Sequence, residues 1–367
     1  MCTALALGAV AAAPAPAAVA PAPGTPDAKA LAEALHGLPD DDATAALVRV
    51  GGRGGSWHGS AGVRDLRTGA KAREDARFRA GSTTKVVTAA TVLRLAADGR
   101  VDLDAPVRRY LPELFRGTAF RKPVSVRQLL NHTSGIPAGN GWGDSFAEQY
   151  AHRFDVVTPA RVAASALAKR PEFAPGTRQQ YLNINYTLLG LLVEKVTGDS
   201  FAETATRLVL RPAGMRHTYF PGADPHVHGP HNRGYQLVDG EFVDVTDWVQ
   251  ADRSAAGDMI STTADLERLL TALFRGRVVP AAQLKEMFRV PAGIPGATMS
   301  AGLQRIDIDG RVHWGKSGAR YGYSTGMAAT QDLSRTVVYS VNSTDAKGEE
   351  MNPVAQRIIM ASVRNAA

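Results

Sequence analysis

The sequence is nearly free of cysteine and of long apolar runs, and each shortage limits what the protein can be. Cys2 is the only cysteine among 367 residues. A mature chain without Cys2 can form no disulfide, hold no thiolate metal site and use no cysteine nucleophile. No stretch reaches the roughly 20 apolar residues that a membrane-spanning helix requires, so we expect no membrane span.

Charged residues are scattered rather than clustered. Lys and Arg number 42 against 35 Asp and Glu, which gives a net charge of +7, and no run of five or more like charges occurs. A nucleic-acid-binding surface usually shows as a basic cluster or stripe, so we expect no nucleic-acid partner. The length and the 44% hydrophobic content are typical of a globular chain with a sizeable core.

The N-terminal segment does not resemble domain core. Residues 1–26 carry no charged side chain and consist almost entirely of Ala, Pro, Val, Leu and Gly. Residues 5–13 have the length of a signal-peptide apolar region, and small residues suited to cleavage follow. We therefore expect residues 1–26 to be a signal peptide and Ala/Pro linker, and the protein to be secreted or in the cell envelope. No Lys or Arg precedes the apolar run, which leaves open an upstream translation start.

Hydrophobic periodicity predicts strands near both chain ends and helices between them. Two short strands at 45–51 and 57–66 precede a helix from Ser82 to Ala97 that is apolar on nearly every face. The middle of the chain shows helical periods at 126–130, 159–169, 185–196 and 201–209. After a helix at 263–274, strand-like runs follow at 302–308, 311–314, 323–329 and 336–341, with a last helix near 354–364. We expect the two ends to share one sheet.

Two motifs match known signatures but lie in the wrong context. Residues 310–317 match the phosphate-loop pattern G-x-x-x-x-G-K-[ST], yet they follow a hairpin turn signal and precede no helix. We therefore expect no nucleotide binding. Residues 322–326 match the G-x-S-x-G nucleophile elbow, but the partner His of that motif must come later and the last His is His313. Ser324 is therefore predicted to be a strand serine.

Three histidines in a Pro/Gly-rich segment have the spacing H-x-H-x-x-H, which could in principle bind zinc: His226, His228 and His231. No carboxylate spacing completes a site, so we expect no metal and no cofactor. His132, within the sequence NHTSG, is predicted to be structural.

The motif Ser82-Thr83-Thr84-Lys85 opens the apolar helix with a chemically useful spacing. Residues three apart share a helix face, so a neutral Lys85 amine would lie beside the Ser82 hydroxyl and could accept its proton. The N–H groups at a helix N-terminus also favour negative charge on a reacting carbonyl oxygen. Alone the motif is weak, because an N-cap Ser followed by a surface Lys is common.

Other segments of the sequence support an active-site role for this motif. FRAGSTTK at 78–85 and DGRVDLDAPVRRYLPE at 98–113 resemble the serine β-lactamase and penicillin-binding family, in particular class C β-lactamases and secreted D-alanyl-D-alanine carboxypeptidases. Similar segments follow in family order at 128–137, 173–198, 211–218 and 254–270, so the resemblance covers about residues 45–341. Three active-site elements occupy the family's places: Ser82-x-x-Lys85, Tyr181-Leu182-Asn183 and Lys316-Ser317-Gly318.

The resemblance implies an α/β fold of the α+β type. An antiparallel sheet flanked by helices would be built from both chain ends, with an inserted mostly helical domain and a cleft at their junction. The α/β domain would comprise residues 27–104 and 256–367, and the helical domain residues 105–255.

The resemblance also implies the residue roles. Ser82 would attack the substrate carbonyl to form an acyl-enzyme, with Lys85 and Tyr181 as alternative proton acceptors. A phenol is a poor base at neutral pH, and Lys85 and Lys316 would together favour its ionised form. Asn183 would contact the substrate amide and the Lys85 ammonium, or else cap a helix or turn.

The third element would bind the substrate carboxylate and the oxyanion. Lys316 and Ser317 would hold the carboxylate, and Gly318 would complete this substrate-binding element. The backbone N–H of Ala319 would form the oxyanion hole with that of Ser82. Lys316 could instead be an exposed strand lysine.

Two residues near these motifs bear on the choice of substrate. Leu182 is larger than the residue usual in the family, which could narrow the range of substrates. Arg320 is either a second carboxylate contact or an outward-facing strand residue.

We therefore expect an exported serine hydrolase that acts through an acyl-enzyme on Ser82. The first hypothesis is a D-alanyl-D-alanine carboxypeptidase acting on cell-wall peptides. A β-lactamase is the second, and a secreted esterase or D-amino-acid amidase of the same family is the third. The expected partner is a D-alanyl peptide or a β-lactam substrate, and a monomer is the favoured state.

Overall fold

The computed structural model describes residues 24–143, 145–308 and 310–366, so nearly all of the predicted signal peptide lies outside the described residues. The strands in chain order are β1 Ala43–Gly51, β2 Trp57–Asp65, β3 Ala70–Lys71, β4 Phe78–Arg79, β5 Tyr235–Val238, β6 Glu241–Asp244, β7 Ile260–Ser261, β8 Gln304–Ile308, β9 Arg311–Arg320, β10 Tyr323–Thr330 and β11 Thr336–Ser343. The α-helices are α1 Ala28–Ala34, α2 Thr84–Ala97, α3 Pro112–Phe115, α4 Val126–Leu130, α5 Phe146–Ala151, α6 Pro159–Leu167, α7 Asn183–Thr197, α8 Phe201–Ala205, α9 Arg211–Ala213, α10 Thr263–Phe274, α11 Ala281–Leu284 and α12 Pro353–Ser362. Short 3-10 turns lie at Gly81–Thr83, Val107–Arg109, Ala251–Arg253 and Lys285–Phe288, and a π-helical turn lies at Thr206–Leu210.

Both ends of the chain contribute to one antiparallel sheet. Its strand order is β3-β2-β1-β11-β10-β9-β8, so the first long strand pairs with the last. In this pairing Val48 lies opposite Tyr339 and Val50 opposite Val337. The expected α/β fold, with a helix-flanked antiparallel sheet built from both ends, is confirmed.

Helices cover the two faces of this sheet. On one face α1 and α12 pack on β1 and β11 through buried side chains that include Leu31, Val48, Val341 and Ile358. On the other face α2 and α10 join the helices of the middle region in a larger core. Each fully buried aliphatic side chain of this kind contributes about 1.5–3 kcal/mol of hydrophobic stabilisation.

Helix α2 is the buried pillar that the sequence predicts. All of its residues from Thr84 to Leu93 are buried. Its few polar side chains bond to backbone, as where the Thr88 hydroxyl donates to the carbonyl of Ala255 at 2.6 Å. The helix stops at Asp98, and Gly99 follows with a φ of 71°. The predicted end at Asp98-Gly99 is confirmed.

Some local elements differ from the expectation. The middle region contains the hairpin β5–β6, whose turn places Asp239 and Gly240 at positive φ, a D-G signal that the helical interpretation overlooked. The predicted helix at 201–209 ends as α8 at Ala205 and continues as a π-helical turn. The strand predicted at 311–314 continues to Arg320.

Both rejected motifs lie on strands. Residues 311–317 belong to β9, which pairs with β8 and β10, and a turn into β10 follows where a phosphate loop would have a helix. Ser324 lies in β10 opposite Ala319, as predicted for a strand serine. In the part of the chain that the structure describes, no helix is long and apolar enough to cross a bilayer.

Candidate active site

Ser82 lies on a 3-10 turn that opens α2 and packs against strand β9. Gly81 has a φ of 52°, and a Cβ on this residue would lie 2.7 Å from the backbone nitrogen of Ala319. A Cβ on Gly318 would lie 2.9 Å from the backbone nitrogen of Ser82. Only glycine at positions 81 and 318 therefore lets the turn that carries Ser82 lie this close to β9. This approach brings the segments that carry the backbone nitrogens of Ser82 and Ala319 into contact, which the oxyanion prediction requires.

Hydroxyl groups hold this turn in place. The Thr84 hydroxyl donates to the Gly81 carbonyl at 2.6 Å and accepts from the Met259 N–H at 3.1 Å. The Thr325 hydroxyl on β10 donates to the Ala80 carbonyl at 2.9 Å. The turn that carries Ser82 is therefore fixed by bonds to Met259, just before β7, and to β10 as well as by α2.

Lys85 points from the first turn of α2 into the site and is fully buried. Its Nζ lies 2.6 Å from the Ala256 carbonyl oxygen, 2.7 Å from Asn183 Oδ1 and 3.2 Å from Ser82 Oγ. Burial, together with repulsion from Lys316 and Arg253, holds the pKa of Lys85 well below its ordinary value. The alternative of a surface lysine is wrong.

The three neighbours of Lys85 Nζ suit a neutral amine. The Ala256 carbonyl oxygen and the Asn183 amide oxygen can only accept, so they use two N–H groups. The third neighbour is the Ser82 hydroxyl, which can donate its hydrogen to the remaining lone pair of the nitrogen. With its lowered pKa, Lys85 is thus placed to take a proton from Ser82. Asn183, at the start of α7, orients this amine rather than capping a helix.

Tyr181 lies between the two lysines. Lys85 Nζ is 4.9 Å and Lys316 Nζ is 4.7 Å from the centre of its ring. Burial raises the pKa of Tyr181 to about 12, although the nearby Ser82 hydroxyl and the Arg253 charge lower it in part. The expectation that the lysines favour an ionised phenol is therefore wrong for the free protein, because burial dominates. The hydroxyl is buried and makes no hydrogen bond of normal geometry with a described group.

His132 supports the loop that carries Tyr181. Its imidazole Nδ1 accepts from the Leu182 N–H at 3.4 Å and lies 3.2 Å from the Asn185 side-chain nitrogen. Its ring centre lies 4.7 Å from that of Tyr181. Burial, and then the charges of Lys85 and Lys316, hold the pKa of His132 well below its ordinary value, so the ring is neutral. This position matches the predicted structural role.

Strand β9 forms the facing wall of the site. Lys316 is half-buried, and its Nζ bonds to the Ser317 carbonyl at 2.9 Å, while the Ser317 residue is exposed. Burial lowers the pKa of Lys316 to about 8, so this amine is largely charged at neutral pH. The alternative of an exposed strand lysine is wrong. The structure therefore brings all the predicted site residues together: Ser82, Lys85, Tyr181, Asn183, Lys316, Ser317, Gly318 and Ala319.

Residues around the segment 251–258 also surround the site, although no sequence motif predicted them. The Ala256 carbonyl is a direct neighbour of Lys85. Asp258 is 3% exposed, and burial raises the pKa of its carboxyl to about 7. Arg253 ion-pairs with Asp252 at 3.0 Å and lies close enough to lower the pKa of Tyr181. The family-like segment SAAGD was the only signal, and it carries no chemistry of its own.

The three clustered histidines each have another contact. His226 Nδ1 lies 3.2 Å from Asp247, and His228 Nε2 lies 2.6 Å from Asp224. The His231 ring bonds to the Gly229 carbonyl. Within the described residues these side chains contact separate surface groups rather than converging on one point.

The fold and the site together define a serine hydrolase of a known class. The family model described as Beta-lactamase matches residues 31–359. The chain therefore belongs to the beta-lactamase family, and the resemblance inferred from the motifs is confirmed.

Curated relatives of this chain include a penicillin-binding protein and an esterase. Penicillin-binding protein 4* of Bacillus subtilis (strain 168) is 28% identical over 326 residues, which are 83% of this chain and 68% of that protein. Esterase EstB of Burkholderia gladioli is 38% identical over 178 residues, which are 45% of this chain and 43% of the esterase.

Two solved structures match almost the whole chain. A D-stereospecific amidohydrolase from Streptomyces sp. is 31% identical with a TM-score of 0.79, and the match covers 92% of this chain and 98% of that one. D-amino acid amidase from Ochrobactrum anthropi SV3, complexed with D-phenylalanine, is 26% identical with a TM-score of 0.73, and the match covers 90% of this chain and 98% of that one.

Proposed function

We propose that this protein is a D-stereospecific serine carboxypeptidase that acts on peptides ending in D-alanyl-D-alanine. Ser82 attacks the carbonyl of the scissile amide and Lys85 accepts its proton. The N–H groups of Ser82 and Ala319 stabilise the oxyanion. Tyr181, which keeps its proton, then supplies that proton to the leaving amine and regains one from the Lys85 ammonium. Water then attacks the acyl-enzyme and releases the acid and the Ser82 hydroxyl.

The observation that carries this proposal is the position of Lys316 and Ser317. Lys316 is a cation without a carboxylate partner among the described residues, and the exposed Ser317 is next to it on β9. They lie two to three residues before Ala319, so they flank the oxyanion donor. A charged amine and a hydroxyl together suit a carboxylate. The terminal carboxylate of the leaving D-alanine would bind there.

A D-amino-acid or D-peptide amidase is the second candidate. The two matching structures named for D-stereospecific amide hydrolysis support it, since they cover about nine-tenths of this chain. The charges of the site favour the first candidate. Lys316 and Arg253 would repel the free ammonium of an amino-acid amide.

The test compares three D-alanine substrates. These are an N-acyl-D-alanyl-D-alanine peptide, the same peptide as its C-terminal amide, and D-alanine amide with a free amine. We expect the free acid to have the highest kcat/KM, and Lys316→Ala to lower that value much more than the value for the C-terminal amide. Ser82→Ala should remove all turnover. Preference for D-alanine amide would favour the amidase, and equal losses on acid and amide would refute the carboxylate role of Lys316.

Benzylpenicillin distinguishes the carboxypeptidase from a β-lactamase. The intact mass of the protein is followed over time after the drug is added. We expect a long-lived adduct of the penicilloyl mass, absent from Ser82→Ala. A transient adduct with complete loss of the drug would instead identify a β-lactamase.

We further propose that the protein is exported. The uncharged, Ala/Pro-rich residues 1–26 support this proposal. N-terminal sequencing of the protein recovered from culture medium or cell envelope tests it, and we expect a start within or just after this segment. Protein that keeps its first residue and stays in the cytoplasm would refute export. The monomeric state stays a prediction.

A further inference from the structure

Gln179 lies two residues before Tyr181, and its side chain makes four hydrogen bonds to main-chain groups. Its Nε2 donates to the Asn131 carbonyl at 2.9 Å and to the Met299 carbonyl at 2.8 Å. Its Oε1 accepts from the Thr298 N–H at 2.9 Å and from the Met299 N–H at 3.0 Å. Both N–H groups and both lone pairs of the amide are thereby used. The side chain is therefore fixed in one orientation between two other segments of the chain.

These bonds join the middle region of the chain to the sheet. One partner segment immediately follows helix α4, and the other, residues 298–299, lies just before β8. The Arg305 N–H on β8 donates to the Thr298 carbonyl at 2.8 Å. Strand β8 in turn pairs with β9, which carries Lys316. Gln179 thus links its own segment to the part of the sheet that carries Lys316.

The Tyr181 phenol depends on its backbone for its position. Its hydroxyl is buried and makes no hydrogen bond of normal geometry with a described group. The Gln180 N–H donates to the His132 carbonyl at 2.9 Å, and the Leu182 N–H donates to His132 Nδ1 at 3.4 Å. With four bonds, the Gln179 side chain adds the larger anchor to this short segment.

The position of the phenol matters because the proposed reaction transfers its proton. The centre of the Tyr181 ring lies 4.9 Å from Lys85 Nζ and 4.7 Å from Lys316 Nζ. As the C–N bond of the substrate breaks, the phenol proton passes to the leaving nitrogen, and the Lys85 ammonium restores a proton to Tyr181. A displacement of about 1 Å can lower the rate of such a step about 10²-fold. A change at Gln179 that shifts the segment would therefore slow the cleavage of amides.

We propose that Gln179 is a positioning residue that holds the Tyr181 phenol where it can protonate the leaving amine. This role rests on the proposed proton donation by Tyr181, and Gln179 acts through the segment that carries the phenol rather than on the substrate. Amides and β-lactams need the proton, whereas a p-nitrophenyl ester does not, because p-nitrophenolate leaves unprotonated. Gln179 accordingly sets the preference of the site for amides over activated esters.

The test measures acylation of Ser82 by benzylpenicillin and by the p-nitrophenyl ester of N-acetyl-D-alanine. Gln179→Met removes all four bonds and keeps the length of the side chain. We expect it to slow acylation by benzylpenicillin about 10- to 100-fold, and acylation by the ester about two-fold or less. The loss should lie in the rate constant at saturating benzylpenicillin rather than in its binding constant. In Tyr181→Phe, which lacks the donor, adding Gln179→Met should cause no further loss with benzylpenicillin, because both residues serve one proton transfer.

Asn232→Leu is the matched control. The Asn232 amide is also buried and also bonds to main chain, since it accepts from the Arg73 N–H at 3.0 Å and donates to the Arg73 carbonyl at 3.4 Å. This variant should lower the melting temperature and keep the wild-type ratio of the two acylation rates. If Gln179→Met does not fold, Gln179→Glu replaces it, because glutamate keeps the size and the accepting oxygen but loses both donated bonds.

The variants also separate this inference from the proposed function. Equal losses with both reagents in Gln179→Met, or losses that multiply when Tyr181→Phe is added, would make Gln179 a merely structural residue and overturn the proposal. A wild-type ratio in Tyr181→Phe alone would instead refute proton donation by Tyr181. The expected pattern without hydrolysis of D-alanyl-D-alanine peptides would support the role of Gln179 and refute only the carboxypeptidase. If benzylpenicillin does not acylate the protein, hydrolysis of D-alanine amide replaces it with the same expectations.

Discussion

Lys85 Nζ lies 2.7 Å from the side-chain oxygen of Asn183, across 98 residues of sequence. This contact joins the start of α2 to the start of α7, and it occupies one N–H of the amine. The Ala256 carbonyl occupies a second. The third position of the nitrogen faces Ser82 Oγ, so the packing of three segments directs the amine at the proposed nucleophile.

Lys85→Arg should place a permanent cation at this position and remove the base. A guanidinium cannot release its proton near neutral pH, whereas the lowered pKa of Lys85 lets the amine do so. We expect acylation by benzylpenicillin to slow by about 10²- to 10⁴-fold, as for loss of a general base. Wild-type acylation should rise with pH through the Lys85 pKa and then level off. Stopped-flow acylation rates between pH 5 and 9 check this. A variant that acylates at the wild-type rate and with the same pH profile would exclude Lys85 as the base.

Tyr181→Phe should affect amides and activated esters differently. The Tyr181 hydroxyl is buried, has no hydrogen-bond partner of normal geometry among described groups and has a pKa of about 12. It is thus a proton donor for a leaving amine, whereas p-nitrophenolate needs no proton. We expect kcat/KM to fall by about 10²-fold or more on an amide and much less on the ester. The melting temperature should stay level or rise, because an unpaired buried hydroxyl is removed. Equal losses on both substrates would contradict the donor role.

Gly81→Ala should damage the oxyanion hole more than the fold. A Cβ at this position would lie 2.7 Å from the Ala319 nitrogen, so β9 would have to move away from Ser82. We expect a loss of about 10²-fold or more in acylation, comparable with removal of one oxyanion donor. Gly99→Ala is the matched control, because Gly99 also has positive φ but no atom within 4 Å of an added Cβ. Gly99→Ala should lower stability and keep full acylation. Similar activity in the two variants would argue against the Ala319 contribution.

The proposed catalytic residues could be predicted from the sequence because each lies in a short motif. Ser82 and Lys85 lie three residues apart where the 3-10 turn leads into α2, and Lys316 to Ala319 share one strand, so local spacing fixes their geometry. The contributions of Ala256 and Arg253 could not be predicted in this way. They depend on how the segment around 251–258 packs beside α2, and on burial, which no local pattern encodes. Burial also raises the pKa of Tyr181, so its phenol stays protonated instead of being ionised as expected.

The buried carboxyl of Asp258 should make the stability of the protein depend on pH. Burial raises its pKa from 3.8 to about 7, so between these values the folded protein holds a proton that the unfolded chain has released. The free energy of unfolding therefore falls as pH rises from about 4 to 7, and stays low above that range. Asp258→Asn removes this dependence, since an amide does not ionise.

Asp258→Asn should accordingly be more stable than wild type at pH 8 and equally stable near pH 4. The expected gain at pH 8 is a few kcal/mol, at about 1.4 kcal/mol per unit of pKa. Urea unfolding at both pH values measures it, with Asp98→Asn at the exposed end of α2 as control. The Asp258 charge also raises the pKa of Lys85, so the variant should shift the acid limb of acylation to lower pH. A stability difference that does not depend on pH would mean that Asp258 is already ionised in the folded protein, with a partner other than the neighbours described.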